Sequence, residues 1–406
     1  MSGERIPIQA VNTLQMLMFK HYMDAKSAGA NGQKVAWVTS GAPVELLHAA
    51  GVVPVYPENH AALCGAQKLG VQYCNAAEER GFSRDLCSYA RTDLGCIYAE
   101  DSPVGGLPKP DMLFCCNNIC GTVTKWYQQL QREFGCPLVY IDTPFQHAEI
   151  NEHAVQYVTA QLEDAIKQIA SVTGKPFDMD RLYQTALLSA EATRLWRETL
   201  DLCAHRPSPM TSFDAFIHIA PIVTMRGTQE CCDYYTLLST EMKQRVADNI
   251  SAVAEEKFRL GWDNIPIWFK LAALSKRLAQ HGACLVVATY TDAWAIQIQA
   301  KDPAQLLPEL ARVYTEVYIN CGTATRTKVI TDMVDKYHLD GMLLHSNRSC
   351  KAYSFGQFDI AQNLQEQYGI PSLVIEGDMN DSRTYSDEQI NTRIDAFMEA
   401  LAAKSK

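Results

Sequence analysis

The sequence predicts an α/β protein with two open, mainly parallel-sheet domains of the Rossmann or flavodoxin type, joined by a helical segment. Short β-rich runs alternate with longer helical patterns towards both ends of the chain, as in parallel sheets covered by helices. The residues in between are mostly helical in pattern, and 406 residues exceed the usual size of one domain. We therefore expect an N-terminal α/β domain over 1–146, a helical insert over 147–259 and a C-terminal α/β domain over 260–406.

In the first region, four short β-rich runs predict strands at 35–39, 52–56, 112–116 and 137–142. Helical patterns near 43–50, 60–80 and 121–134 lie between them. This alternation is typical of strands that are connected through helices and therefore run parallel.

The middle of the chain is helical in pattern to about Arg259. Candidate helices span 149–172, 179–202, 211–225 and 228–253, with breaks at 206–209 and 226–227. The alternation then resumes, with strands predicted at 283–290, 341–345 and 372–376. A helix from Ser386 closes the chain.

Composition excludes several classes of protein. With 47% apolar and 20% charged residues, the chain can bury a large core. A formal net charge of -10 without a basic stripe argues against a nucleic-acid surface. The N-terminus lacks a basic segment followed by an apolar one, and no apolar stretch approaches the roughly 20 residues that cross a bilayer. We expect a cytoplasmic protein without a membrane partner.

Fourteen cysteines are many for such a composition. Cytoplasmic thiols stay reduced, which leaves metal ligation, catalysis or simple burial as their roles. Structural roles are predicted for the following residues: Cys64, Cys136, Cys203, Cys284 and Cys321 as buried thiols, Cys231 and Cys232 as packing residues, and His60 and His345 as isolated histidines.

Three other cysteines, Cys87, Cys120 and Cys350, each end an apolar run beside Asn, Ser or Arg. Ligands of open parallel sheets bind outside the carboxyl ends of the strands, where Cys120 and Cys350 are expected, so both domains could present thiolates to one cleft. Structural zinc usually shows two local ligand pairs, whereas these cysteines are far apart in sequence. A distributed site suits a cluster between domains better, although spacing alone leaves ordinary buried cysteines equally open.

Several motifs carry a resemblance that spacing cannot supply. They occur in one order along nearly the whole chain, to Glu376-Gly-Asp378, and resemble the 2-hydroxyacyl-CoA dehydratase family, which includes cluster-bearing subunits of benzoyl-CoA reductase. The resemblance is strongest to the dehydratase α subunits that act on substrates such as (R)-2-hydroxyisocaproyl-CoA. The motifs are Trp37-Val-Thr-Ser40, Tyr56-Pro-Glu-Asn59, Asp85-Leu-Cys-Ser-Tyr-Ala-Arg-Thr92, Cys115-Cys-Asn-Asn-Ile-Cys-Gly121 with Lys125-Trp-Tyr127, and Asn347-Arg-Ser-Cys-Lys351.

The resemblance implies a [4Fe–4S] cluster held by Cys87, Cys120 and Cys350. Its fourth iron would carry water or hydroxide that can be exchanged for substrate. Ser40 matches a hydroxyl hydrogen-bonded to that exchangeable ligand, and the alternative for Ser40 is a helix N-cap. Residues beside the cysteines could also tune the cluster. Arg91 and Arg348 could offset its charge or orient the thioester, and the alternative for both arginines is an interdomain ion pair. Asn117, Asn118 and Asn347 could donate hydrogen bonds to sulfur.

The implied reaction removes water from an (R)-2-hydroxyacyl-CoA to give an (E)-2-enoyl-CoA. One electron on the thioester carbonyl gives a ketyl radical that expels the α-hydroxide and acidifies the β-hydrogen, with the cluster as Lewis acid and electron relay. Glu58 is the candidate base for the β-proton, with the iron-bound α-hydroxide as its rival. The alternative for Glu58 is an ordinary surface carboxylate.

The resemblance also implies partners. The sequence lacks a P-loop, so a separate ATP-dependent iron–sulfur activator protein is expected to supply the electron. A related β subunit with its own cluster would complete a heterodimer. Two alternatives stay open: a benzoyl-CoA reductase-type subunit, and a non-catalytic electron-relay subunit, for which Cys74, Cys96, Cys115 and Cys116 are spare thiols.

Overall fold

The computed structural model describes residues 6–299 and 301–404 and contains two four-stranded parallel sheets. The first sheet has the order β2-β1-β3-β4 and the second the order β6-β5-β7-β8. The predicted α/β fold with two mainly parallel sheets is confirmed. The strands are β1 (Val35–Val38), β2 (Val53–Val55), β3 (Met112–Cys116), β4 (Leu138–Ile141), β5 (Phe258–Asp263), β6 (Ala283–Ala288), β7 (Gly341–Asn347) and β8 (Ser372–Gly377).

Helices connect and cover both sheets. The N-terminal part has α1 (Ala10–Ser27), α2 (Glu45–Ala49), α3 (Pro57–Ala66), α4 (Gly70–Glu79), α5 (Ser88–Ala99) and α6 (Gly121–Phe134). The segment between the sheets has α7 (Glu152–Thr173), α8 (Met179–Asp201), α9 (Ser212–His218), α10 (Ala220–Thr224) and α11 (Gln229–Ala247). The C-terminal part has α12 (Leu271–Gln280), α13 (Thr289–Asp292), α14 (Leu306–Thr315), α15 (Thr323–Tyr337), α16 (Lys351–Ser354), α17 (Gln357–Tyr368) and α18 (Asp387–Lys404).

The burial of the strands agrees with the residue types in their sequences. Every residue of β1, β3 and β6 is buried, because helices cover both faces of a parallel sheet. Pro54 lies in β2, an edge strand, where its missing N–H costs no ladder hydrogen bond. Buried residues of both sheets and of the helices between them form one hydrophobic cluster, so the helical segment packs as part of a shared core.

The strand β5 was missed by the sequence analysis, which expected a helical pattern to about Arg259. It is a central strand of the second sheet, paired with both β6 and β7. The sequence of β5 gives no clear strand pattern, because Arg259 interrupts its apolar run. The guanidinium is buried all the same, since it donates to the carbonyls of Tyr337 and Cys203 and pairs with Glu256.

Other boundaries also differ from the prediction. The helix expected near 60–80 is broken between α3 and α4, where Lys68 has a φ of 63°. The helix expected over 211–225 divides at Ile219 into α9 and α10, and α11 ends at Ala247, before the predicted 253. The helix α5 was not predicted. These differences shift no strand of the first sheet.

Both sheets place their first strand next to the third, with the second strand on the far side. The connections therefore leave in opposite directions from β1 and β3, and likewise from β5 and β7. Such a reversal opens a crevice at the carboxyl ends of the strands, the usual ligand site of this architecture. Ser40 and Cys120 follow β1 and β3, and Cys350 follows β7.

Within the described residues, no helix has the length and apolar character required to traverse a bilayer.

Candidate metal centre and active site

Each of the three predicted ligand cysteines directly precedes a helix. Cys87 is followed by α5, Cys120 by α6 and Cys350 by α16. Backbone N–H groups of the first helical turn point at the sulfur atoms, an arrangement that stabilises a thiolate. The donors are Tyr89 and Ala90 for Cys87, Thr122 and Val123 for Cys120, and Tyr353 for Cys350.

The fold brings these three thiols together, although they come from both halves of the chain. Burial raises the pKa of Cys87 well above its usual value, and the nearby sulfurs of Cys120 and Cys350 raise it further. All three pack against one hydrophobic cluster. Since their pKa values are raised, metal binding at these thiols would have to release protons.

Accessibility separates these thiols from most of the others. All fourteen cysteines lie within the described residues, and ten of them are buried. The four that are partly exposed are Cys87, Cys120, Cys136 and Cys350. The prediction that Cys136 is buried was therefore wrong. The spare thiols of Cys74, Cys96, Cys115 and Cys116 are all buried.

A separate group of potential metal ligands, His60, Cys64 and Cys96, has ligand atoms within 4.8 Å of one another. The sulfurs of Cys64 and Cys96 are 3.9 Å apart, and His60 Nε2 lies 3.0 Å from Ser102 Oγ. In a four-iron cluster each thiolate binds a different iron, so its sulfurs stand farther apart than the ligands of a single ion. This compact group is distinct from the three predicted ligands.

The two predicted catalytic residues, Ser40 and Glu58, form a hydrogen-bonded pair. The backbone N–H of Ser40 donates to Glu58 Oε1 at 2.8 Å, and its hydroxyl donates to Oε2 at 2.7 Å. Burial raises the pKa of Glu58, and the two hydrogen bonds from Ser40 only partly oppose that rise. Ser40 is not a helix N-cap, because α2 begins five residues later after Val44.

The asparagines beside the cysteines differ in how their side chains are engaged. Asn117 accepts from Thr143 and donates to Asp142, and the Asn118 amide donates to the carbonyls of Gly41 and Tyr314. Asn347 is buried, and neither its Nδ2 nor its Oδ1 has a hydrogen-bond partner within residues 6–299 and 301–404. Asn118 Oδ1 also has no partner among the described residues, but Asn347 is the one of the three whose Nδ2, the donor atom, is unpaired.

The two arginines form ion pairs. Arg91 is buried and pairs with Glu78 at 2.6 Å and with Asp381 at 3.1 Å. Because Asp381 follows β8, this pair joins the two halves of the chain, the alternative proposed from the sequence. Arg348 is exposed and pairs with the exposed Glu376.

The residues expected to be structural are engaged in the core. The His345 ring lies with Nδ1 2.6 Å from the Ile265 carbonyl, and His60 is buried beside Ser102. Cys231 and Cys232 are buried on α11.

A cavity of about 310 Å³ opens beside the Ser40–Glu58 pair, and both residues line it. Its wall also includes Tyr89, Ile119 and Tyr353, each of which lies within three residues of one predicted ligand in the sequence. The wall was missed by the sequence analysis, because its residues come from many separate segments. The only signal was the apolar character of the helical segment over 211–225.

Residues 39–401 match the family of the 2-hydroxyglutaryl-CoA dehydratase D-component. The chain belongs to this family. It is 36% identical to the (R)-2-hydroxyisocaproyl-CoA dehydratase alpha subunit of Clostridioides difficile, over 96% of this chain and 95% of that protein. It is 33% identical to the (R)-phenyllactyl-CoA dehydratase alpha subunit of Clostridium sporogenes, over 95% and 96%.

A third relative carries a different name. It is a benzoyl-CoA reductase subunit of Thauera aromatica, 30% identical over 89% of this chain and 87% of that protein. The family resemblance drawn from the motifs is therefore confirmed. So is the class of enzyme, because the dehydratase relatives are subunits of hydro-lyases.

Proposed function

We propose that this chain is the iron–sulfur subunit of a 2-hydroxyacyl-CoA dehydratase, which converts an (R)-2-hydroxyacyl-CoA to the (E)-2-enoyl-CoA. One observation carries the proposal. In a chain of the dehydratase family, three partly accessible thiols from both halves interact with one another, and one of them, Cys120, also interacts with Glu58, which lines an apolar cavity.

The donor set suits a [4Fe–4S] cluster. Cys87, Cys120 and Cys350 would each bind one iron, and the fourth iron would carry an exchangeable oxygen ligand. The amide of Asn347 supports this assignment, because a buried amide without a partner costs free energy unless another group satisfies it. A cluster sulfur near Cys350 would accept from that amide.

Bound there, the cluster would supply a Lewis-acidic iron position and one electron for dehydration through a ketyl radical. The chain's own side chains would orient substrate and move protons. Glu58 would take the β-proton, since its raised pKa makes the carboxylate a stronger base. Ser40 would hold Glu58 in place through its two hydrogen bonds. Because its hydroxyl proton is donated to Glu58, the Ser40 oxygen would accept a hydrogen bond from the exchangeable ligand.

The proposal includes two protein partners. The dehydratase relatives are named alpha subunits, which supports a β subunit as partner. In the proposal this β subunit is related to the chain and carries a cluster of its own. An ATP-dependent iron–sulfur activator would deliver the electron, because the sequence has no P-loop of its own.

Replacing a proposed ligand tests the assignment. Cys350→Ala should lose most of the iron and sulfide after anaerobic purification, whereas Cys136→Ala should keep the wild-type content. Cys136 is a matched control, because it is also partly exposed but is not a proposed ligand. Wild-type iron content in Cys350→Ala, with an unchanged Mössbauer spectrum, would contradict the ligand set.

A reductase function is the second candidate, supported by the 30% identity to the benzoyl-CoA reductase relative. The two functions differ in electron use, because a dehydratase recycles its electron and a reductase consumes two per product. Measuring reductant consumed per product, with benzoyl-CoA and with 2-hydroxyacyl-CoA thioesters, distinguishes them. A non-catalytic electron relay would convert neither thioester.

A further inference from the structure

The cavity beside the Ser40–Glu58 pair has a predominantly apolar wall. Phe216, Ile219 and Val223, from the segment between the sheets, form one part of it. Ile265 and Trp268, which follow β5, contribute from the second sheet. Apolar side chains cannot satisfy the hydrogen bonds of trapped water, so this space favours an apolar occupant.

The size of the cavity exceeds the needs of a short acyl chain. Its volume of about 310 Å³ compares with about 30 Å³ for one water molecule in the liquid. The lone methyl group of a three-carbon acyl chain would leave most of this space filled with poorly bonded water. A branched or aromatic acyl group would displace that water and bury more apolar surface.

The charges around the cavity disfavour an acidic acyl chain. Among the described lining residues, Glu58 is the acidic side chain and Arg226 the basic one. Arg226 is already compensated, because it pairs with Glu45 at 3.3 Å and donates to the Tyr314 hydroxyl at 2.9 Å. A second carboxylate in the cavity would therefore lack a free cation and would face Glu58.

We infer that the acyl group of the substrate is bulky and apolar, either branched aliphatic or aromatic, and occupies this cavity. The inference rests on the proposed function, because it takes the thioester end of the substrate to lie at the Ser40–Glu58 pair. Three-carbon and dicarboxylic acyl groups are excluded as preferred substrates.

Binding of unreactive thioesters tests the inference apart from catalysis. Calorimetry on the purified complex would compare 4-methylpentanoyl-CoA and 3-phenylpropionyl-CoA with propionyl-CoA and glutaryl-CoA. We expect the first two to bind about tenfold or more tightly, since each methylene in an apolar pocket is worth about tenfold or more. Equal or tighter binding of propionyl-CoA or glutaryl-CoA would overturn the inference.

A variant that fills the cavity locates the binding site. Ala220→Phe on α10 should weaken binding of 3-phenylpropionyl-CoA about tenfold or more and leave propionyl-CoA binding nearly unchanged. Ala160→Phe, at an exposed position of α7, is the matched control. If Ala220→Phe does not fold, Ala62→Leu fills the same cavity from α3. Unchanged binding in a folded filling variant would overturn the inference.

Measuring turnover distinguishes failure of the dehydratase proposal from failure of the inference about the acyl group. If the order of binding holds but no 2-hydroxyacyl-CoA is dehydrated with the β subunit and activator present, the dehydratase proposal fails and the cavity assignment stands. If 2-hydroxyacyl thioesters are dehydrated but lactoyl-CoA or 2-hydroxyglutaryl-CoA is preferred, only the inference about the acyl group fails.

Discussion

Glu58 gains its chemical character from two neighbours, one of them distant in sequence. Ser40 lies 18 residues earlier, yet its N–H and hydroxyl both donate to the Glu58 carboxylate. Pro57, which precedes Glu58, begins α3, so the carboxylate sits in the first turn, where the helix dipole favours its charge. Burial has the opposite effect and prevails, so the pKa of Glu58 is raised.

This raised pKa predicts a pH dependence of turnover. A base must be ionised to act, so kcat/KM should fall as the pH drops below the raised pKa of Glu58, which lies above its usual 4.5. Glu58→Gln should lower kcat by about 10²- to 10⁴-fold and remove this low-pH limb, while iron content stays unchanged.

An exposed glutamate provides the control for this variant. Glu388→Gln, on α18, should leave both the rate and the pH profile unaltered. Wild-type turnover in Glu58→Gln would exclude Glu58 as the base and favour the α-hydroxide instead.

At the scale of elements, α5 begins directly after Cys87 and packs in close contact with α4. Gly95 permits this contact, because a Cβ at this position would lie 1.8 Å from the Tyr73 carbonyl oxygen. A backbone atom cannot move aside as a flexible side chain can. The position of Cys87 is therefore set by a packing contact two turns along its helix.

Gly95→Ala should force α4 and α5 apart and lower the free energy of unfolding by about 1–3 kcal/mol or more. Iron content should fall with it, because Cys87 moves with α5. Gly29→Ala is the matched control, since nothing lies within 4 Å of a Cβ at that position. Urea unfolding and iron analysis of both variants check this. Equal stability of the two variants would contradict the packing argument.

The elements that could be predicted from the sequence are those whose residues carry a local signal. The apolar runs of β1, β3 and β6 predict buried parallel strands, and the motifs around Cys87 and Cys350 predict ligands. The strand β5 has no such signal, because Arg259 becomes compatible with burial only through carbonyls from distant segments.

The arrangement of the site could likewise not be predicted from the sequence. The bond between Ser40 and Glu58, the Arg91 ion pair and the cavity wall all depend on contacts between segments far apart in the chain. The residues could be named individually from their motifs. Their pairing could not, because it is set by how the elements pack.

In the whole molecule, polar contacts join the two halves close to the proposed ligands. Ser349, next to Cys350, accepts from the Ser88 backbone N–H at 3.1 Å. The buried Asp381 pairs with the buried Arg91. A cluster held by cysteines from both halves requires those halves to keep a fixed separation, and these buried contacts supply it.

Because Asp381 pairs with Arg91 across the two halves, we expect its ionisation to affect both the stability of the fold and the retention of the cluster. Burial opposes its ionisation, but hydrogen bonds from Arg383 and Arg91 outweigh that effect and hold the pKa of Asp381 at about 2, below the usual 3.8. A carboxylate whose pKa is lowered on folding stabilises the folded state at pH values above its pKa in the unfolded chain. This contribution is lost as the pH falls from 3.8 towards 2.

Asp381→Asn should lower the free energy of unfolding by about 3 kcal/mol near neutral pH, because Arg91 and Arg383 lose a buried partner. The difference from wild type should shrink as the pH falls from 3.8 towards 2. Asp387→Asn, which removes an exposed pair with Lys270, should cost less than about 1 kcal/mol. In a chelator challenge, Asp381→Asn should also lose iron faster than the control. Equal rates of iron loss would mean that the cysteines alone, and not the ion pairs between the two halves, hold the cluster.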